Sequence, residues 1–254
     1  MNPPRLLPRI HLIRHGETLW SLSGQHTSRT EIPLTAHGEE QALQLGARLR
    51  EINFSRVFTS PYLRARQTCA LAGRAASAEV EPDLREWDYG DYEGRTSTDI
   101  RATCAGWDLF IDGAAGGETP AQVCARAERF VCRLRQMEGD IAVFSHGHFL
   151  RVLATLWIAL PVTAARHFLL GTASLSILGY EHNPAQEPAI ILWNATAKDL
   201  FDIVPSRSVG DRREIERWEN EGGEIPPQKR ASSNSFESVA IQATVGGLPT
   251  VKKY

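Results

Sequence analysis

The chain has 254 residues, of which 42% are hydrophobic and 8% aromatic, so it is long enough to bury an ordinary globular core. Its formal net charge of -2 argues against the basic surface that is typical of nucleic-acid-binding domains. Any binding of anions must therefore be local.

The ends of the sequence and its apolar stretches bear on localisation. The first eight residues contain three prolines and no apolar segment of signal-peptide length. No stretch reaches the roughly 18 consecutive apolar residues of a membrane span, and the nearest candidate, residues 149–162, contains Arg151. These features predict a cytoplasmic protein with neither a membrane nor a nucleic-acid partner.

The first half of the chain alternates between strand and helix patterns. A short apolar run predicts a buried strand at residues 10–13. A helix follows, with its apolar residues on one face, namely Ala42, Leu45, Leu49 and Ile52. A second buried strand is predicted at residues 57–59.

The same alternation continues in the second half. A helix is predicted to begin at Thr119 and Pro120, an N-cap and a first helical position. Its inner face would be Val123, Ala127, Phe130, Leu134 and Met137. A strand at 141–144, a helix from about 147 to 159 and strands at 174–180 and 189–193 complete the series. The alternation predicts a three-layer α/β/α domain with a mainly parallel central sheet over residues 1–200.

Residues 201–254 differ in character from the rest. They are polar, with one amphipathic segment at 211–221 before a run rich in Gly, Pro, Ser and Asn. This composition predicts a partly disordered tail. The alternative is a helix that binds a partner through Ile215 and Trp218.

Three predicted strands each end at a reactive or basic group. Arg14 and His15 follow the first strand, residues 60–64 follow the second, and His146 follows the strand at 141–144. In a parallel sheet these ends lie on one edge, beside the free N–H groups of helix N-termini. Two arginines and two histidines gathered there would suit a phosphate dianion, because a guanidinium matches phosphate oxygens bidentately.

The neighbours of His15 favour one protonation state. The Arg14 charge disfavours a protonated imidazole, so His15 is biased toward the neutral form that can attack phosphorus. Arginines and a second histidine can stabilise the charge on the transferring group without a metal.

The motifs at these positions resemble those of a known family. They are HLIRHGETLW at 11–20, PLT at 33–35 with Gly38, SPYLRARQT at 60–68, LREWDYGDYEG at 84–94 and SHGH at 145–148. In this order they resemble the histidine phosphatase superfamily, in its phosphoglycerate-mutase-like branch. Within it, GQHTSRTEIPLT at 24–35, RARQT and LREWDYGDYEG are most similar to small sugar-phosphate phosphatases of the sedoheptulose-bisphosphatase type.

The resemblance implies a role for each matching residue. His15 would be the nucleophile that becomes phosphohistidine, with Arg14 and Arg64 binding the phosphoryl group and His146 as the second histidine of the phosphate pocket. Glu86 matches the residue that protonates the leaving oxygen, a role that needs a carboxyl with a raised pKa. Trp87 and Tyr89 would supply the desolvation that raises it, although Asp88, Asp91 and Glu93 lie close enough in sequence to compete for the role.

Other positions match less closely. Ser21 stands where many members have Asn, yet its hydroxyl could still donate to a phosphate oxygen, and Thr27 matches a residue near the substrate. His26 lies beside it and is a further candidate. Ser28 replaces a common glycine. We therefore expect Arg14, Arg64, Ser21, Thr27 and His146 to bind the substrate.

The resemblance to this family also bears on the type of reaction and on whether a cofactor is needed. The segment between Gly94 and Thr119 is short and carries only Arg95 and Arg101, whereas mutases that retain a bisphosphorylated cofactor have a longer, more basic insertion. This favours a phosphatase acting on small phosphorylated molecules, without a cofactor. A cofactor-dependent phosphoglycerate mutase and a non-catalytic phosphate-binding regulatory module remain the alternatives.

Histidine spacing raises the question of a metal. His148 could in principle pair with His11 and His15, but no Asp or Cys cluster accompanies them, so we expect no metal site. The sequence does not predict an oligomeric state.

Overall fold

A computed structural model describes residues 7–181, 187–196 and 199 of the chain. Within this part, six strands are present: β1 (Arg9–Arg14), β2 (Phe54–Thr59), β3 (Ala78–Val80), β4 (Asp140–Ser145), β5 (Leu175–Tyr180) and β6 (Pro188–Ala195). The same residues contain the helices α1 (Leu19–Ser23), α2 (Ala36–Leu49), α3 (Leu63–Leu71), α4 (Ser97–Thr103), α5 (Leu109–Asp112), α6 (Pro120–Arg135) and α7 (Gly147–Trp157).

The described strands form one mixed sheet in the order β3-β2-β4-β1-β5-β6. The pairs β1 with β4, β2 with β4 and β2 with β3 are parallel, whereas β5 pairs antiparallel with both β1 and β6. The prediction of a mainly parallel central sheet is confirmed. The antiparallel edge was not predicted, because an apolar run of strand length does not reveal the direction in which it pairs.

Both faces of this sheet are buried at its centre. Along β4, Ile141 and Val143 pack on one face while Ala142 and Phe144 pack on the other. The first face is covered by α6 and α7, and the second by α2 and α3. The three-layer α/β/α prediction is therefore confirmed.

The helix boundaries follow the capping residues. Thr35 caps α2 by accepting a hydrogen bond from the Gly38 N–H at 3.0 Å. Thr119 caps α6 in a reciprocal capping box with Gln122, and Pro120 is its first residue, as predicted. Both helices end before the last residues of their predicted apolar faces, Ile52 and Met137, which nevertheless pack against the core.

Several short elements have no counterpart in the predictions, namely α1, α4, α5 and β3. Each spans at most seven residues, which is shorter than the roughly 11–18 residues over which a helical hydrophobic pattern can be recognised. The predicted tail at 201–254, including the segment at 211–221, lies outside the described residues. Among the described residues, no helix combines the length and the apolar character that crossing a membrane requires.

Candidate active site

The carboxyl ends of β1, β2 and β4 meet at one edge of the sheet. The parallel register places Arg14 opposite Ser145 and Thr59 opposite Phe144. One residue further, the His15 N–H donates to the Ser145 carbonyl at 3.0 Å. Similarly, the Ser60 N–H donates to the Phe144 carbonyl at 2.9 Å. The backbone ladder therefore delivers His15, Ser60 and His146 to the same place.

Two glycines allow the chain to turn tightly after His15. A Cβ at Gly16 would lie 2.4 Å from the Gly38 carbonyl oxygen, and one at Gly38 would lie 2.1 Å from the Glu17 carbonyl oxygen. The backbones of the loop and of α2 therefore approach more closely than any side chain permits. This contact accounts for Gly38 in the motif.

His15 is held as a neutral imidazole with a defined tautomer. Its Nδ1 lies 2.8 Å from the Gly16 carbonyl oxygen, which can only accept, so Nδ1 carries the proton and Nε2 keeps its lone pair. Burial, with the charges of Arg64 and Arg14, lowers the pKa of His15 well below 6.5. The available nitrogen is therefore unprotonated at neutral pH.

His146 lies at the N-cap position of α7, with its ring centroid 5.3 Å from that of His15. Its Nε2 is 2.7 Å from the Ser60 hydroxyl oxygen, whereas Nδ1 is buried and has no partner among the described residues. Burial, followed by the charges of Arg64 and His15, lowers the pKa of His146 well below 6.5. Both rings are therefore neutral at neutral pH.

Two guanidinium groups flank these rings. Arg64, fully buried in the first turn of α3, donates to the carbonyls of Thr27 at 2.9 Å and Ser28 at 3.2 Å. Arg14 donates to the Leu170 carbonyl, and a Cβ at Gly147 would lie 3.3 Å from its Cζ. The Nε–H of each arginine is buried without a partner in the described part of the chain. With His146 Nδ1, three buried polar atoms are unsatisfied here, as at a site built for a ligand.

Glu86 lies beside this cluster at the N-terminus of α7. It is 5% exposed, and its carboxylate accepts hydrogen bonds from the N–H groups of Trp87 at 2.9 Å, Phe149 at 2.8 Å and His148 at 3.0 Å. Tyr89 lines the cavity next to it. The Trp87 indole instead packs edge-on against Phe110 in the core and donates to the Glu118 carbonyl.

The other nearby carboxylates have different partners. Glu93 accepts hydrogen bonds from the N–H groups of Ser28 and Thr30 at 2.9–3.1 Å, which anchors the loop before α2. Asp88 pairs with Arg29, and Asp91 is exposed. Of the four acidic residues at 86–93, Glu86 is the one that lines the cavity containing His15.

A cleft of about 240 Å³ opens above His15 and Glu86. Ser21 and Thr27 line it, but the Ser21 hydroxyl donates to the Thr18 carbonyl at 2.9 Å within the capping box of α1. The Thr27 hydroxyl is 3.2 Å from the Gln25 carbonyl, and its own carbonyl accepts from Arg64. Both residues therefore line the cleft, and the Thr27 carbonyl also positions Arg64.

Three residues in this cleft, Tyr89, His148 and Arg151, were not proposed from the sequence as substrate contacts, whereas His26 was a further candidate. The Tyr89 hydroxyl lies 2.6 Å from His148 Nδ1, burial raises the pKa of Tyr89 and lowers that of His148, and the pair is therefore neutral. Arg151 lines the cleft from the second turn of α7. The helical spacing of three residues from His148 was the available signal, since it places Arg151 on the same face. Burial lowers the pKa of His26, which lies opposite, to about 4.

His11 lies in the described part of the chain but does not join this site. His11 is buried in β1, with Nε2 2.7 Å from an Asp140 oxygen and its ring edge-on to Phe54. Over the residues that the structure describes, no three His, Cys, Asp or Glu side chains are grouped so as to hold a metal ion.

Comparisons with known proteins are consistent with this geometry. Residues 10–196 match the profile of the histidine phosphatase superfamily (branch 1). The chain is 35% identical over 253 residues to sedoheptulose 1,7-bisphosphatase of Saccharomyces cerevisiae, covering 74% of this chain and 93% of that protein. It is 42% identical over 182 residues to an acid phosphatase of Mycobacterium tuberculosis, covering 70% of this chain and 89% of that one.

The fold also matches a solved structure, that of the open reading frame Rv3214 from Mycobacterium tuberculosis. The TM-score is 0.70 at 39% identity, covering 74% of this chain and 98% of that one. The family predicted from the motifs is confirmed. The chain therefore belongs to the histidine phosphatase superfamily, branch 1, and is a phosphoric monoester hydrolase.

Proposed function

We propose that this chain hydrolyses small phosphomonoesters, with sugar phosphates as the favoured class, through a phosphohistidine formed on His15. One observation carries the proposal. The unprotonated Nε2 of His15 belongs to a buried cluster in which Arg14, Arg64 and His146 each retain an unsatisfied polar nitrogen. A phosphate dianion would satisfy such a cluster, because guanidinium and imidazole N–H groups donate strongly to its oxygens.

In the first step, the lone pair on His15 Nε2 attacks phosphorus, and the bond from phosphorus to the ester oxygen breaks. In this proposed role, Glu86 donates a proton to the departing oxygen. Arg14, Arg64 and His146 bind the transferring oxygens and stabilise their charge. The product alcohol leaves, and the phosphoryl group is bonded to His15.

In the second step, a water molecule attacks phosphorus while the Glu86 carboxylate takes its proton. The bond from phosphorus to Nε2 breaks, and its electron pair returns to His15 as inorganic phosphate forms. Glu86 is left protonated and His15 neutral, so the enzyme is ready for another substrate. No step draws on a metal ion or a cofactor.

The cleft lining supports a polar substrate. Around the rest of the cleft, the side chains are mostly hydrogen-bonding groups, namely Ser21, Gln25, His26, Thr27, Ser97 and His148, with Arg151 as a further cation. Such groups suit the hydroxyls of a sugar. The yeast relative, named for a sugar bisphosphate, supports the same class.

The segment between Gly94 and Thr119 favours hydrolysis over a mutase reaction. It folds into α4 and α5, whose residues Ile100 and Phe110 are buried in the core. Its arginines bond within the segment, Arg95 to the Asp99 carbonyl and Arg101 to the Trp107 carbonyl. These contacts support a site that releases phosphate to water.

A phosphate-release screen of the full chain in the presence of chelator tests the substrate class. Sugar phosphates, phosphoglycerates and nucleotides should be compared at equal concentration, and we expect sugar phosphates to give the highest kcat/KM. Loss of activity on adding chelator would contradict the metal-independent mechanism. Interconversion of phosphoglycerates with little free phosphate would favour the mutase, and tight phosphate binding without turnover would favour the regulatory module.

Glu86→Gln tests the proton transfer. We expect kcat/KM for an alkyl phosphate to fall by about 10²- to 10⁴-fold, because the alkoxide then leaves without a proton. For p-nitrophenyl phosphate, whose leaving group needs no proton, we expect a burst of one equivalent of nitrophenolate followed by slow turnover, since water attack still lacks its base. Rapid-mixing kinetics with both substrates measures this.

Asp91→Asn is the matched control for Glu86→Gln, because Asp91 is an exposed carboxylate in the same segment. It should leave both rates within about twofold of the unmodified chain. If Glu86→Gln also retained full activity toward the alkyl phosphate, another group would have to be the acid.

A further inference from the structure

A buried arginine outside the cleft contacts the segment that carries Glu86. Arg126 lies on the inner face of α6 and is 2% exposed. Its guanidinium donates to the carbonyl oxygens of Asp83 at 2.8 Å, Arg85 at 2.7 Å and Glu86 itself at 3.2 Å. The main chain leading up to Glu86 is therefore bound from one side by a single planar group.

Glu118 binds both this arginine and the main chain that follows Glu86. Its two carboxylate oxygens accept from Arg126 Nε at 2.9 Å and Nη2 at 3.0 Å. One of these oxygens also accepts from the Asp88 N–H at 2.9 Å, and the Glu118 N–H donates to the Asp88 carbonyl at 2.8 Å. The two sides of Glu86 are thus fixed by one bidentate ion pair.

The same arginine also contacts the helix that binds the carboxylate. Arg126 Cζ lies 4.4 Å from the centroid of the Phe149 ring. The Phe149 N–H in turn donates to Glu86 Oε1 at 2.8 Å. Arg126 therefore joins the two structures that set where the Glu86 carboxylate lies, its own main chain and the first turn of α7.

We propose that Arg126 and Glu118 are positioning residues that set the Glu86 carboxylate against the leaving oxygen of the substrate. A buried ion pair is weak evidence for stability, because desolvation of the two charges offsets their attraction. Three carbonyl bonds from one planar fork instead give directional control, which the ammonium of lysine cannot reproduce. The inference rests on the proposed role of Glu86.

The test compares Arg126→Lys and Glu118→Gln with Arg129→Gln. Arg129 lies on the same helix and pairs at 2.8 Å with the side chain of Asp83 in the same segment, but it is exposed and touches no main chain there. We expect Arg126→Lys and Glu118→Gln to lower kcat/KM for an alkyl phosphate by about 10- to 100-fold, because small displacements of a catalytic group are costly. With p-nitrophenyl phosphate, both variants should still release nitrophenolate in a burst, as expected for Glu86→Gln, because that leaving group needs no proton. Arg129→Gln should leave the rates for both substrates within about twofold of the unmodified chain.

Double variants separate positioning from a purely structural effect. In a Glu86→Gln background, Arg126→Lys and Glu118→Gln should cause no further loss on the alkyl phosphate, because the group they position is already absent. Equal losses on all substrates, or losses that multiply in that background, would overturn the proposal. If Arg126→Lys fails to fold by circular dichroism, Glu118→Gln, which keeps its shape and acceptor oxygen, decides the result.

The same measurements distinguish the two proposals. If Glu86→Gln shows no dependence on the leaving group, the proposed role of Glu86 fails. Glu86→Gln could instead show that dependence while Arg126→Lys and Glu118→Gln keep the same rates as Arg129→Gln. In that case Glu86 stands as the acid, and only the positioning role of Arg126 and Glu118 is overturned.

Discussion

Replacing His15 with alanine is expected to lower kcat for p-nitrophenyl phosphate by about 10⁴-fold or more, because the reaction loses the atom to which the phosphoryl group is transferred. Arg14, Arg64 and His146 would remain in place and still bind phosphate. Binding of inorganic phosphate, measured by calorimetry, should therefore survive in His15→Ala even though turnover does not.

The intermediate offers a second readout of the same change. Rapid acid-free quenching with mass spectrometry should detect an added phosphoryl group on the Glu86→Gln chain, where the second step is slow, and none on the Glu86→Gln, His15→Ala double variant. His37→Ala is the matched control, since its ring is 62% exposed on α2. Undiminished turnover by His15→Ala, or a phosphoryl group on another residue, would refute the phosphohistidine mechanism.

Acid is expected to destabilise the fold by several kcal/mol between pH 7 and pH 5. Burial is the largest cause that lowers the pKa of each of four histidines, His15, His26, His146 and His148. The unfolded chain, with histidine pKa near 6.5, therefore binds more protons than the folded one below that pH. The stability that these four histidines contribute is fully present above about pH 6.5. It is lost as the pH falls from there toward their pKa values in the folded chain.

The contribution of His26 can be isolated. With a folded pKa of about 4, it should account for about 2 kcal/mol of the loss between pH 7 and pH 5. Urea unfolding of the full chain at pH 7, 6 and 5 measures the total, and His26→Gln should reduce the loss by about that amount. A free energy of unfolding that is unchanged across this range, or an equal loss in His26→Gln, would contradict the prediction.

Sequence patterns were sufficient where the structure depends on neighbours in the chain. The apolar run before Arg14 predicted β1, and Thr119 with Pro120 predicted the start of α6, because strand burial and helix capping are local. The positions of His15 and His146 followed from these elements together with one topological rule, that parallel strands end at a common edge.

Local competition was harder to foresee at Ser21. Its hydroxyl was expected to face phosphate, yet it closes a capping box with Thr18 three residues away. Such short-range bonds compete for Ser and Thr hydroxyls wherever a helix begins, so the residue type alone does not reveal its partner.

By itself, the sequence determined the α/β class, the motifs and the edge at which the reactive residues would gather. Only the tertiary structure decided how Glu86 is held, since Arg126 reaches the carbonyls of Asp83 and Arg85 across more than forty positions of chain. It likewise brought Arg151 and His26 to the same cleft. The physical reason is that periodicity and capping arise from residues within a few turns of one another, whereas ion pairs and cavities depend on how whole elements pack.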